Sequence, residues 1–198
     1  MDTALSIAKH VLHNEVDVAY GGAPFGEGGA LHHIGTRGGR AAWSNPHDAG
    51  LVLASMSSVG YGSSDPRKLV GRAADGCNST QNAANSWVAV DLGPERTMRV
   101  AHYCLRHGCY SAYNELRSWE LQARAAEADA WTTLRRHDAD ASLQGGHSVA
   151  AFEVTQHTGT AFRHFRLHQH GPTANGNHFL MCGGLELYGT LLDGATYE

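Results

Sequence analysis

Short stretches of alternating apolar and polar residues dominate this chain. In His164-Phe165-Arg166-Leu167-His168-Gln169-His170, Phe165 and Leu167 fall on one face while Arg166, His168 and His170 fall on the other. A half-buried antiparallel strand has this pattern. Trp119, Leu121 and Ala123 alternate with Glu120 and Gln122 in the same way, and Trp87 to Val90 runs into a turn at Asp91-Leu92-Gly93-Pro94. Strands are predicted at residues 31–34, 51–56, 86–91, 99–105, 118–123, 132–135, 149–154, 164–169 and 185–191. Many short strands separated by turn residues imply an all-β antiparallel sandwich or jelly roll. Ahead of them, Leu5, Ala8, Val11, Leu12 and Glu15 recur at spacings of three and four, which predicts a short amphipathic helix between Thr3 and Val16. The run from Gly21 to Gly29 interrupts all periodicity. The expected organisation is therefore an N-terminal extension with a helix and a Gly-rich linker over residues 1–24, one sandwich over 25–190, and a tail over 191–198.

Composition narrows the partners. The 198 residues are 42% hydrophobic and 17% charged, a globular balance with enough chain for one core. The formal net charge of −4, without a dense Lys/Arg run, gives nucleic-acid phosphate and anionic lipid little to attract. The sequence shows no apolar run long enough for a membrane span and no secretory leader, so a cytoplasmic protein is expected. Cys77, Cys104, Cys109 and Cys182 lack a framework spacing and are read as free thiols. The tripeptide Asn78-Ser79-Thr80 is a glycosylation signal only in an exported protein.

An ordered set of segments resembles a known family. Asn85-Ser86-Trp87-Val88-Ala89-Val90-Asp91-Leu92-Gly93 is followed by Tyr103-Cys104-Leu105-Arg106-His107-Gly108 and Leu116-Arg117-Ser118-Trp119-Glu120-Leu121-Gln122-Ala123. Then come Trp131-Thr132-Thr133-Leu134, His164-Phe165-Arg166-Leu167 and Gly184-Leu185-Glu186-Leu187-Tyr188-Gly189. In order and spacing these resemble the discoidin domain, also called the coagulation factor V/VIII type C domain, of the galactose-binding-domain-like superfamily. The likeness is to its intracellular branch, found in ubiquitin-ligase and BTB-type adaptor proteins. The secreted branch links its two ends by a disulfide, and no cysteine stands at either end here. The segment 125–130 replaces the usual Ser-x-Asp-Gly turn, and His168 and His170 are unusual in their strand. Trp87, Trp119, Phe165, Leu187 and Tyr188 are read as core or core-edge residues.

Chemistry is sparse by comparison. His102, Cys104, His107 and Cys109 are ligands of zinc type but lack a Cys-x-x-Cys knuckle, and no metal or cofactor is expected. No nucleophile elbow, His-Glu-x-x-His helix or phosphate loop is present, so the chain is read as a non-enzyme. The binding candidates are loop segments rich in planar and hydrogen-bonding groups: Trp43, Asn45 and His47, then Arg106 and His107, then Asn175, Asn177 and His178. The resemblance implies that these loops converge at one end of the sandwich. The expected function is a non-catalytic module that recognises a protein partner within a ubiquitin-ligase, cytoskeletal or ciliary assembly. The rival is a carbohydrate-binding module, which needs an exposed aromatic platform beside paired polar side chains.

Overall fold

The computed structural model describes residues 14–75 and 77–196. Two antiparallel sheets pack face to face. Strands β1 (Asn14–Val18), β9 (Cys182–Asp193), β4 (Arg96–His107) and β7 (Val149–Glu153) form the first sheet, in that spatial order. The second is β2 (Leu53–Met56), β3 (Trp87–Asp91), β8 (His164–Gln169), β5 (Trp119–Arg124) and β6 (Thr132–His137). The fold is thus the predicted all-β sandwich. Its spine is the pair of twelve-residue strands β4 and β9. That ladder is irregular between Val100 and His102, where it faces Gly189 at φ +144. A side chain at Gly189 would also press on the carbonyl of Arg99, so only glycine fits.

Alternation along the strands fills the space between the sheets. Val88, Val90, Tyr103, Leu105, Trp119, Leu121, Phe165, Leu167, Leu185 and Leu187 are all buried in one cluster. Trp119 donates from Nε1 to the Tyr103 hydroxyl at 3.1 Å and stacks on the His137 ring at 4.1 Å between centroids. The Tyr103 hydroxyl lies 2.7 Å from His137 Nε2, and His137 Nδ1 lies 2.6 Å from Asp140 Oδ2. Each polar atom that these aromatics carry into the core thereby finds a partner. Tyr188 belongs to a second buried cluster with Phe25 and Cys104, and Trp87 lies half-buried facing away from the core.

Two expectations change. Residues 31–34 are not a strand but part of helix α1 (Ala30–Gly35). Leu-His-His-Ile puts its apolar residues at i and i+3, a helical spacing, and both Leu31 and Ile34 are buried. The carboxylate of Glu186 on β9 accepts from the N–H groups of Leu31 at 2.7 Å and His32 at 3.1 Å, satisfying the first turn of α1. Of the helix expected between Thr3 and Val16, residues 3–13 lie outside the described residues, and Asn14 to Val16 are strand. Strand β1 pairs with β9 from Asn14 opposite Asp193 to Val18 opposite Gly189. The first sheet therefore takes in residues on both sides of the 25–190 span. Among the described residues no helix is long and apolar enough to cross a membrane.

Candidate functional site

The three candidate segments lie in different surroundings, although Arg106 reaches the carbonyls of Arg72 and Ala73, which line the same cleft as Trp43 and Asn45. Trp43 and Asn45 lie against the 3-10 helix Pro66–Val70 in a cleft of about 320 Å³ with Asp48, Arg67, Lys68 and Asp75. Asn45 is occupied structurally, accepting from His47 N–H at 2.9 Å and donating to the Arg67 carbonyl at 3.1 Å. His47 is occupied too, since its Nδ1 accepts from Ala54 N–H at 3.0 Å. Trp43 is half-buried, with its indole edge against Gly35, where an added Cβ would sit 2.6 Å from Nε1.

Arg106 and His107 point inward. The Arg106 guanidinium is buried, donates to the carbonyls of Arg72 and Ala73 at 3.2 and 3.1 Å, and lies over the Phe25 ring at 4.3 Å. It ties the loop after the 3-10 helix to β4. His107 is fully buried, with Nε2 3.0 Å from the Ser111 carbonyl. Burial lowers its pKa, against the opposing pull of that carbonyl and of Glu115. Both side chains are buried and hydrogen-bonded within the fold.

Asn175, Asn177 and His178 belong to the connection between β8 and β9. Here the organiser is Asn114, fully buried at φ +57. Its N–H donates to Asn175 Oδ1 at 2.7 Å, and its Oδ1 accepts from Thr173 Oγ1 at 3.1 Å and Asn177 Nδ2 at 2.9 Å. His178 N–H donates to Asn82 Oδ1 at 2.7 Å. These amides clamp three loops together: residues 57–86, 108–118 and 170–181.

At that clamped end lies a groove of about 470 Å³. Tyr61, Tyr110 and Tyr113 line it and are 81%, 74% and 52% exposed, with Phe179 and Met181 also facing it. Sequence reasoning passed over these tyrosines. The available signal was large aromatics placed in loops, outside any strand whose core could claim them. The framework beneath is tied together by buried side-chain amides. Asn78 is buried and donates from Nδ2 to the Cys182 carbonyl at 2.7 Å, while its Oδ1 accepts from Asp65 N–H at 2.9 Å. The amide nitrogen of the Asn78 tripeptide is thus committed to the fold. Among the described residues no group of three or more His, Cys, Asp and Glu side chains is arranged to hold a metal ion.

Known proteins give this geometry a context. No protein-family profile matches the chain. It is 33% identical over 181 residues to the E3 ubiquitin-protein ligase hecd-1 of Caenorhabditis elegans, covering 87% of this chain and 6% of that protein. It is 32% identical over 174 residues to the E3 ubiquitin-protein ligase Ufd4 of Drosophila melanogaster, covering 85% and 6%. A BTB/POZ domain-containing protein of Arabidopsis thaliana is 32% identical over 170 residues, covering 81% and 20%. The match thus spans only a small part of each curated relative. Among solved structures, a family 32 carbohydrate-binding module of Clostridium perfringens in complex with GalNAc-β-1,3-galactose superposes with a TM-score of 0.56. The identity is 12%, over 70% of this chain and 96% of that one. The lectin domain of lectinolysin complexed with Lewis B antigen gives 0.54 at 20% identity, over 69% and 91%. The fold is the galactose-binding-like β-sandwich. Within the galactose-binding-like fold, the solved neighbours named here are binding modules, and the ligase relatives carry the matching segment as a small fraction of their length.

Proposed function

We propose that this chain is a discoidin-like, non-catalytic recognition module that binds a protein partner through the tyrosine-lined groove at its loop end. The observation that carries the reading is the trio Tyr61, Tyr110 and Tyr113, highly exposed around one concavity on a framework of buried amides. Tyrosine supplies large contact area at low conformational-entropy cost, and its hydroxyl adds direction, so such a cluster is what a binding centre uses. Resemblance to segments of ubiquitin ligases and of a BTB/POZ protein supports a place in a larger cytoplasmic assembly. The test is affinity capture from cell extract with the wild type and a Tyr61→Ala/Tyr110→Ala/Tyr113→Ala variant. Proteins held by the wild type and lost by the folded variant support the reading, and identical capture by both overturns it.

A second reading rests on Trp43. Its indole shares the smaller cleft with Asn45, Asp48, Arg67, Lys68 and Asp75, a half-exposed aromatic beside paired polar groups as a sugar site requires. Binding on a glycan array that is lost in Trp43→Ala favours carbohydrate at this cleft over the tyrosine groove.

A further inference from the structure

Cys77 and Cys109 bring their sulfurs to 2.8 Å although 32 residues separate them in sequence. The two free thiols are in direct contact, and a disulfide needs its sulfurs at about 2.05 Å. The approach is built by backbone. Asn78 N–H donates to the Gly108 carbonyl at 2.7 Å, and Cys182 N–H donates to the Asn78 carbonyl at 3.1 Å. Cys77 and Cys109 therefore flank a tight cross-chain bond, held from below by the buried Asn78 side chain. Both cysteines line the tyrosine groove, Cys77 half-buried and Cys109 at its floor with 5% of its surface exposed. Cys104 and Cys182 are buried elsewhere, the latter with its sulfur 3.4 Å from the Gly184 carbonyl.

We propose that Cys77 and Cys109 are an oxidisable dithiol that closes to an intramolecular disulfide when the protein meets a hydroperoxide. The two sulfurs are unequal. Burial raises the pKa of Cys109, but hydrogen bonds from the Cys77 thiol and from the backbone and hydroxyl of Ser111 outweigh it, and the net shift is downward. Ser111 Oγ stands 3.6 Å from the Cys109 sulfur. For Cys77, burial and its hydrogen bond to Cys109 raise the pKa. With the Ser111 hydroxyl beside it, Cys109 is the sulfur better stabilised as an anion and is the first nucleophile. Its sulfur attacks the near oxygen of hydrogen peroxide and the O–O bond breaks. Cys109 is oxidised by two electrons to the sulfenic acid, and the departing hydroxide takes a proton and leaves as water. Cys77 then loses its proton and attacks the sulfenic sulfur. The S–S bond forms, the S–O bond breaks, and the expelled hydroxide takes up that proton as a second water. Two thiols and one peroxide thus give one disulfide and two waters. The product fastens residue 77, on the loop whose carbonyls hold Arg106, to the first residue after Gly108 beneath Tyr110. This chemistry does not depend on what the groove binds.

The sequence makes the test direct, because trypsin places the four cysteines in four peptides: 73–96, 100–106, 107–117 and 167–198. Folded protein is treated with equimolar hydrogen peroxide, blocked with an alkylating reagent, digested without reductant and read by mass spectrometry. The expected product is peptide 73–96 joined to 107–117, with Cys104 and Cys182 alkylated as free thiols, and with full reversal by dithiothreitol. Cys77→Ser is expected to stop at a Cys109 sulfenic acid that dimedone traps, and Cys109→Ser to leave Cys77 a free thiol. Circular dichroism confirms that each variant folds. Accumulation of Cys109 sulfinic acid in the wild type without the joined peptide overturns the proposal. So does a wild type whose two cysteines remain alkylatable, or oxidation of Cys77 at an undiminished rate in Cys109→Ser.

Discussion

Glu186 Oε1 accepts the Leu31 N–H at 2.7 Å across 155 residues of sequence, so a carboxylate at the centre of β9 serves as the N-terminal cap of α1. Its other oxygen takes His32 N–H, and its Oε1 also accepts from Leu187 N–H at 3.0 Å. Burial nevertheless dominates, raising the Glu186 pKa from 4.5 to about 7 against these donors and the nearby Arg72. A group with its folded pKa raised contributes stability that is present below its unfolded value, here 4.5, and is lost as pH rises through about 7.

The first prediction sets this carboxyl against the histidines. Burial lowers the pKa of His33, His107, His137, His164 and His168 below 6.5. These enter the fold neutral, so below pH 6.5 the unfolded chain binds protons that the folded chain refuses, and stability falls as pH drops. Glu186 works in the opposite direction over the same window. In Glu186→Gln the opposing contribution disappears, and stability is expected to rise more steeply between pH 5 and 7 than in the wild type, by about 2 kcal/mol. Urea unfolding at a series of pH values measures this. Parallel curves for the two proteins would remove Glu186 from the pH response.

Gly29 precedes α1 directly, and a Cβ there would fall on the Glu186 side chain. Gly29→Ala is expected to cost about 1–3 kcal/mol through overpacking. Its backbone, at φ −81, suits alanine, so no conformational strain confuses the result. A melting temperature equal to that of the wild type would mean that Glu186 swings aside freely.

Arg106→Ala is expected to destabilise by about 1.5–3 kcal/mol, because it leaves the carbonyls of Arg72 and Ala73 without their charged donor. Trp119→Ala, which empties the centre of the core and removes the indole donor to Tyr103 and the ring stacked on His137, is expected to cost about 3–5 kcal/mol. Changing the three groove tyrosines to alanine is expected to leave stability within about 0.5 kcal/mol at each position. Chemical denaturation of the whole set orders these costs, and tyrosine variants that unfold like Trp119→Ala would reassign the groove to structure.

Strands such as His164 to Gln169 were legible because one face of each sheet is buried, and burial writes alternation into the chain. The helix Ala30–Gly35 was not, since six residues are too few to establish a period and its cap comes from β9. The internal work of the candidate site residues was hidden for a related reason. Arg106 and Asn177 have the chemistry of a binding site, but long loops carry many backbone and amide groups that need partners, and these two side chains supply them. Only the three-dimensional arrangement shows which polar loop residues are spent internally and which, like Tyr61, remain outside.

The pairing of Asn14 with Asp193 has a consequence for how the domain is carried. The polypeptide enters and leaves the sandwich through adjacent strands, a few ångströms apart. A unit with neighbouring entry and exit can be spliced into a surface loop of a host protein without pulling the host's own ends apart.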